Sequence, residues 1–86
     1  MIRMYVRQAV GDFETWRKDH EAKAAERAAR GVSAEGVHRS LDDPNEVTYW
    51  HDFTTPEEAR TYADGPGDSI EQGDRGSRIV WFGHAM

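Results

Sequence analysis

No cysteine occurs in this chain, which removes a disulfide framework and a thiolate-bound zinc as ways of bracing a small domain. Leucine is almost missing as well: Leu41 stands alone. No apolar run approaches the roughly 20 residues that a membrane-crossing helix needs. The first residues lack the apolar core of a signal peptide, so the chain reads as cytoplasmic with no membrane partner. Positive charge is scarce too. Eleven Lys and Arg against sixteen Asp and Glu leave a formal charge of −5, which offers no electrostatic footprint to DNA or RNA.

What remains is a single domain spanning residues 1–86. Ten of its hydrophobic residues are alanine, and nine residues are aromatic, so the larger apolar side chains are few. A chain this short buries a modest fraction of its surface. With covalent and thiolate staples excluded, a second copy of the chain is the expected brace, giving a homodimer.

Hydrophobic periodicity divides the chain cleanly. Residues 2–9 alternate, with Ile2, Met4 and Val6 on one side and Arg3 and Arg7 on the other, as a strand requires. Asp12 is a suitable cap for a helix over 13–30, in which Phe13, Trp16, His20 and Ala24 share one arc with Ala28 nearby. Gly31 is its expected stop. Residues 34–41 and 46–53 read as strands joined by the turn residues Asp42-Asp43-Pro44-Asn45. Thr55-Pro56-Glu57-Glu58 combines a capping hydroxyl, a proline at the first helical position and a glutamate three residues after the cap. A helix from about 56 to 64 should follow, with Ala59, Tyr62 and Ala63 inward. Residues 67–76 read as a short loop around Ile70, and residues 77–84 as a last strand.

The resulting order, β-α-β-β-α-β, specifies an α+β fold of ferredoxin-like type: a four-stranded antiparallel sheet with two helices on one face. A sheet with one wet face alternates apolar and polar residues. Here the third strand carries Val47, Tyr49 and Phe53 on one side but Trp50 on the other. The fourth carries Ile79 and Trp81 on one side, Val80 and Phe82 on the other. Both faces need cover and the helices supply only one, so the second face is expected to pack on a copy of itself.

Asp12-Phe13-x-x-Trp16, Gly31, the hairpin segment Asp42-Asp43-Pro44-Asn45-Glu46-Val47 and Ala59-Arg60 together resemble the dimeric α/β-barrel superfamily. The likeness is nearest to small antibiotic-biosynthesis-monooxygenase-like and polyketide-cyclase-like proteins of actinobacterial type, and it spans nearly the whole chain. The resemblance implies a homodimer in which two sheets close into a barrel, with a pocket between each sheet and its own helices. Among such proteins are cofactor-free monooxygenases acting on polyphenols, polyketide cyclases, isomerases, haem-degrading enzymes and members with no known activity. The stretch from Asp68 to Arg78 is shorter than the corresponding region of those relatives.

The candidate site follows from the same faces. His20 sits mid-stripe on the first helix and is either a hydrogen-bonded core histidine or a pocket-lining base. His51 shares strand parity with Tyr49. A four-residue hairpin loop, 42–45, sets His38 opposite Tyr49, so that His20, His38, Tyr49 and His51 converge under Phe13, Trp16 and Trp81. A five-residue loop sets His38 with Trp50 instead, because a one-residue slip exchanges faces. With the first register, His20 and His51 are the proton-transfer groups, Tyr49 and His38 the orienting donors, and Phe13, Trp16 and Trp81 the walls. The bland alternative is that these large residues simply fill a core.

No histidine pair has metal-ligand spacing, and His84 reads as exposed, so neither a metal nor another cofactor is expected. Arg3, Arg7 and Arg39 are expected on the sheet's second face, either paired with Glu35 or Asp52 at the dimer seam, the favoured reading, or contacting an acidic substrate group. Gly65-Pro66-Gly67 is no phosphate loop, because proline lacks the N–H donor. Two functional classes remain. One is a cofactor-independent cyclase or monooxygenase acting on an aromatic or polyketide-like metabolite. The other is a non-catalytic dimeric barrel that binds a small hydrophobic ligand or serves as an assembly module.

Overall fold

The structure is a computed structural model and is described for residues 1–65 and 75–86. Four strands, β1 (Ile2–Ala9), β2 (Ala34–Arg39), β3 (Glu46–Phe53) and β4 (Ile79–His84), form one sheet in the order β2-β3-β1-β4. Every neighbouring pair is antiparallel. Helices α1 (Phe13–Ala22), α2 (Ala24–Ala29) and α3 (Pro56–Asp64) complete the ferredoxin-like arrangement, and a 3-10 turn at Arg75–Ser77 leads into β4. Most of the loop expected over 67–76 lies outside the described residues.

The helix signals act as the sequence predicts. Asp12 accepts from the Thr15 amide at 2.9 Å, capping α1. Thr55 accepts from the Glu58 amide at 3.2 Å, with Pro56 opening α3. Gly31 ends α2 at φ 103°, a conformation open to glycine, and an added Cβ would lie 3.0 Å from Glu58 Oε2.

The first helix is not continuous, however. It breaks at Lys23, whose amide bonds to His20 O at 3.2 Å in a tightened turn before α2 restarts. The second half does not carry the expected alanines inward. Its buried residue is Arg27, whereas Ala24 and Ala28 are exposed.

Strand alternation then sorts the sheet into two faces. Met4, Val6, Val47, Tyr49 and Phe53 point toward the helices and join Trp16, Ala59 and Tyr62 in the core. Among the described residues, no helix lies on the opposite face. Across it runs a row of direct cross-strand partners: Gly36 with Trp50, Trp50 with Tyr5, and Tyr5 with Trp81. Tyr5 and Trp81 stack at 5.3 Å and 8°.

Trp81 is therefore on the open face with Trp50, and Phe82 is on the helix side, registered with Met4. This corrects the expectation that Trp81 roofs the candidate site. The physical reason is that β4 is apolar on both sides, so its own alternation carries no preference between faces. Ile79, Val80, Trp81 and Phe82 on this edge strand are all well exposed.

Candidate functional site

Five elements bring side chains to one place between the sheet and the helices. α1 supplies Trp16 and His20, α2 Arg27, β2 Glu35, β3 Tyr49 and His51, and α3 Tyr62. Trp16 and His20, four residues apart on one helical face, stack at 4.7 Å and 19°. His20 in turn lies nearly parallel to His51, with ring centroids 6.0 Å apart and planes at 10°. Tyr49 is tilted against all three rings at 5.3–5.5 Å. Tyr62 meets His51 edge-on at 5.7 Å. Phe13 adjoins Trp16 at 6.2 Å and is itself covered by the Arg39 guanidinium at 4.4 Å.

The cluster is buried: Trp16 is 4% exposed, His20 5%, and Tyr49 and His51 0%. Thus His20, His51, Tyr49, Trp16 and Phe13 do come together, whereas His38 and Trp81 do not. The hairpin decides His38. Val37, not His38, faces Tyr49, and the Ser40 amide bonds to Glu46 O, leaving a five-residue loop. The side chains of Ser40 and Asp43 hold that loop: the Asp42 and Asp43 amides donate to Ser40 Oγ, and the Asn45 amide donates to Asp43 Oδ1. His38 consequently lies exposed on the open face, beside Thr48.

That register brings in a residue the sequence reading assigned elsewhere. Glu35 is the direct partner of His51 and so faces the helices, not the open face. Its Oε1 lies 3.2 Å from His51 Nδ1. Arg27 grips the same carboxylate at two points, Nε to Oε1 at 2.6 Å and Nη2 to Oε2 at 3.0 Å. Burial alone would push the Glu35 carboxyl up, but the hydrogen bonds and charge of His51 and Arg27 outweigh it and hold the group at about 2.

Arg27 was missed in the sequence because it stands in a run of surface-like charges. A signal existed: at 100° per residue it falls in the same arc as Trp16 and His20. Of the three arginines expected on the open face, Arg3 and Arg7 lie there and Arg39 does not. Arg3 pairs with Asp52 through two bonds of 2.7 and 3.0 Å, and its guanidinium lies over Trp50. Arg7 pairs with Glu46. Arg39 points to the helix side, where its Nε also donates to Pro44 O.

Chemically, the site offers two imidazoles, a phenol and an ionised carboxylate walled by aromatic rings. Among the described residues, no group of three or more His, Cys, Asp or Glu is placed to hold a metal ion. No described helix is long and apolar enough to cross a membrane.

No family model and no curated protein matches the chain. Solved structures do. One is an antibiotic biosynthesis monooxygenase, with a TM-score of 0.69 and 8% identity over all of this chain and 99% of that one. Another, from Deinococcus radiodurans and provisionally assigned as an antibiotic biosynthesis monooxygenase, gives a TM-score of 0.65 and 14% identity, covering 93% of its length. At these identities the likeness is one of fold, and it extends from end to end.

Proposed function

We propose that the chain is a small homodimeric enzyme of the antibiotic-biosynthesis-monooxygenase type, acting by proton transfer on an aromatic or polyketide-like metabolite. The observation that carries this reading is the stack of His20 on His51, with Tyr49 within 5.4 Å of both rings, on the helix side of the sheet. A neutral imidazole is suited to removing a phenolic or enolic proton near neutral pH. The resulting anion is electron-rich and either combines with dioxygen or attacks a carbonyl carbon. Tyr49 orients the substrate oxygen, and Trp16 and Phe13 exclude water. Because Tyr49 and His51 are fully covered, substrate enters by displacing a wall, and half-buried Phe13 beneath Arg39 is the wall nearest solvent.

The second copy follows from the open face. Its row of Trp50, Tyr5 and Trp81 leaves Trp81 40% exposed, an apolar belt that pairing two sheets face to face would cover.

The complete burial of His51 and Tyr49 favours the other reading, a dimeric barrel whose core is simply filled. Imidazole NMR across pH, with and without a panel of polyphenols and aromatic ketones, separates the two. Enzyme function predicts that His20 and His51 signals move with one ligand class and that His51→Ala abolishes its turnover. Signals that ignore every ligand, with no turnover by the unaltered protein, support the assembly module.

A further inference from the structure

We propose that Glu35, clamped by Arg27, is a positioning residue for His51: it fixes the hydrogen on Nδ1 and so places the basic lone pair on Nε2. The inference rests on the reading of His51 as a proton-transfer group, but it makes a claim about the ring that is measurable without substrate.

Three observations converge. First, Glu35 and His51 are direct cross-strand partners, so the carboxylate reaches the imidazole from rigid backbone rather than from a loop. An ionised carboxylate only accepts, and the imidazole nitrogen facing it at 3.2 Å is Nδ1. Nδ1 and Oε1 approach off the line of a hydrogen bond, so the carboxylate acts through its charge: of the two neutral tautomers, the one with hydrogen on Nδ1 turns a positive edge to it, whereas the other sets a lone pair against it.

Second, Arg27 holds the carboxylate in its plane through two bonds, from a side chain only 2% exposed. A two-point grip restricts rotation of the carboxylate as a single contact does not. It also neutralises the pair. A lone buried carboxylate beside an imidazole would favour the imidazolium and leave no base. The Arg27–Glu35 pair presents a dipole with its negative end on Nδ1 and no net charge. The two-point grip of Arg27 keeps Glu35 ionised, so it orients the ring and does not relay protons.

Third, solvent reaches Glu35 but not His51. The Glu35 side chain is 28% exposed and that of His51 0%. Glu35 lines a concavity of about 200 Å³ between α2 and β2, with Ala24, Ala28, Val32, Ser33 and Ala34. Water there eases the desolvation of the ion pair while the imidazole stays dry.

The test is nitrogen-15 NMR of the His51 ring in the full chain at neutral pH, comparing the unaltered protein with Glu35→Gln. The expected result is an Nδ1–H tautomer in the unaltered protein and a mixture of tautomers in the variant, since an amide can donate as well as accept. If an active substrate is in hand, kcat falls by about 10²-fold or more while KM changes little. Arg27→Lys keeps the charge and removes the two-point grip. It is expected to show the same mixing and supplies the readout should Glu35→Gln fail to fold. An Nε2–H tautomer in the unaltered protein, or a ring that stays Nδ1–H in the folded variants, overturns the proposal. A tautomer change in a protein whose turnover survives His51→Ala upholds the positioning and sinks the proton-transfer reading instead.

Discussion

The indole of Trp50 occupies the space directly over Gly36. A Cβ on Gly36 would fall 2.7 Å from three of its ring atoms, closer than side chains tolerate. The Arg3 guanidinium, held by Asp52, also lies 3.7 Å from the centre of that ring. Gly36→Ala is therefore expected to shift the indole and destabilise the fold by about 1–3 kcal/mol, the usual range for overpacking. Urea unfolding and tryptophan fluorescence report both effects, and an unchanged midpoint would refute the packing argument.

The open face and the helix face predict different outcomes for neighbouring residues on one strand. With the proposed pairing through the open face, Trp81→Asp, which puts a charge in the aromatic row beside Tyr5, should halve the sedimenting mass. Phe82→Ser lies on the other face and should leave the mass unchanged. The reverse pattern would mean that the subunits meet elsewhere.

Removing Arg27 leaves the Glu35 carboxylate without its two-point partner. Arg27→Met is expected to lose about 3 kcal/mol, the lower end for breaking a buried ion pair, because Glu35 keeps some contact with water. Adding Glu35→Leu to that variant should recover much of the loss, since no charge is then stranded. Urea midpoints of the two variants decide it: a double variant no more stable than Arg27→Met alone would show that the pair is not what matters.

Acid sensitivity should centre on the same carboxyl. Glu35 is depressed from 4.5 to about 2 in the fold, so its contribution is complete above 4.5 and is lost as the pH falls toward 2. Glu35→Gln is accordingly expected to be less stable than the unaltered protein at neutral pH, with the gap closing across that acid window. A gap that persists undiminished at the acid end would assign the stabilisation to packing and not to charge.

Much of the fold was legible because its signals are local. Thr55-Pro56-x-Glu58 set the start of α3, and the alternation in 2–9 and 46–53 gave β1 and β3 their ends. The break at Lys23 had no glycine or proline to mark it. The faces of β2 and β4 depend on partners far along the chain. A one-residue difference in the hairpin loop took His38 off the helix face, away from Tyr49, and set Glu35 beside His51. The candidate site was accordingly legible in its helix stripe and in β3, where parity is unambiguous. It was not legible where a charged side chain, Arg27, occupies an apolar position because another charge meets it there.

The separation of these partners along the chain also sets an order of assembly. Arg27 and Glu35 are only eight residues apart, so the loop they close is short, and short loops close at little entropic expense. His51 arrives from a strand on the far side of the hairpin. The guanidinium–carboxylate contact is thus expected to exist in the folding transition state before β3 docks, so that the imidazole meets a charge already neutralised. Arg27→Met should then slow refolding nearly in proportion to its loss of stability, while His51→Phe mainly hastens unfolding. Stopped-flow chevrons showing both variants confined to the unfolding arm would contradict that sequence of events.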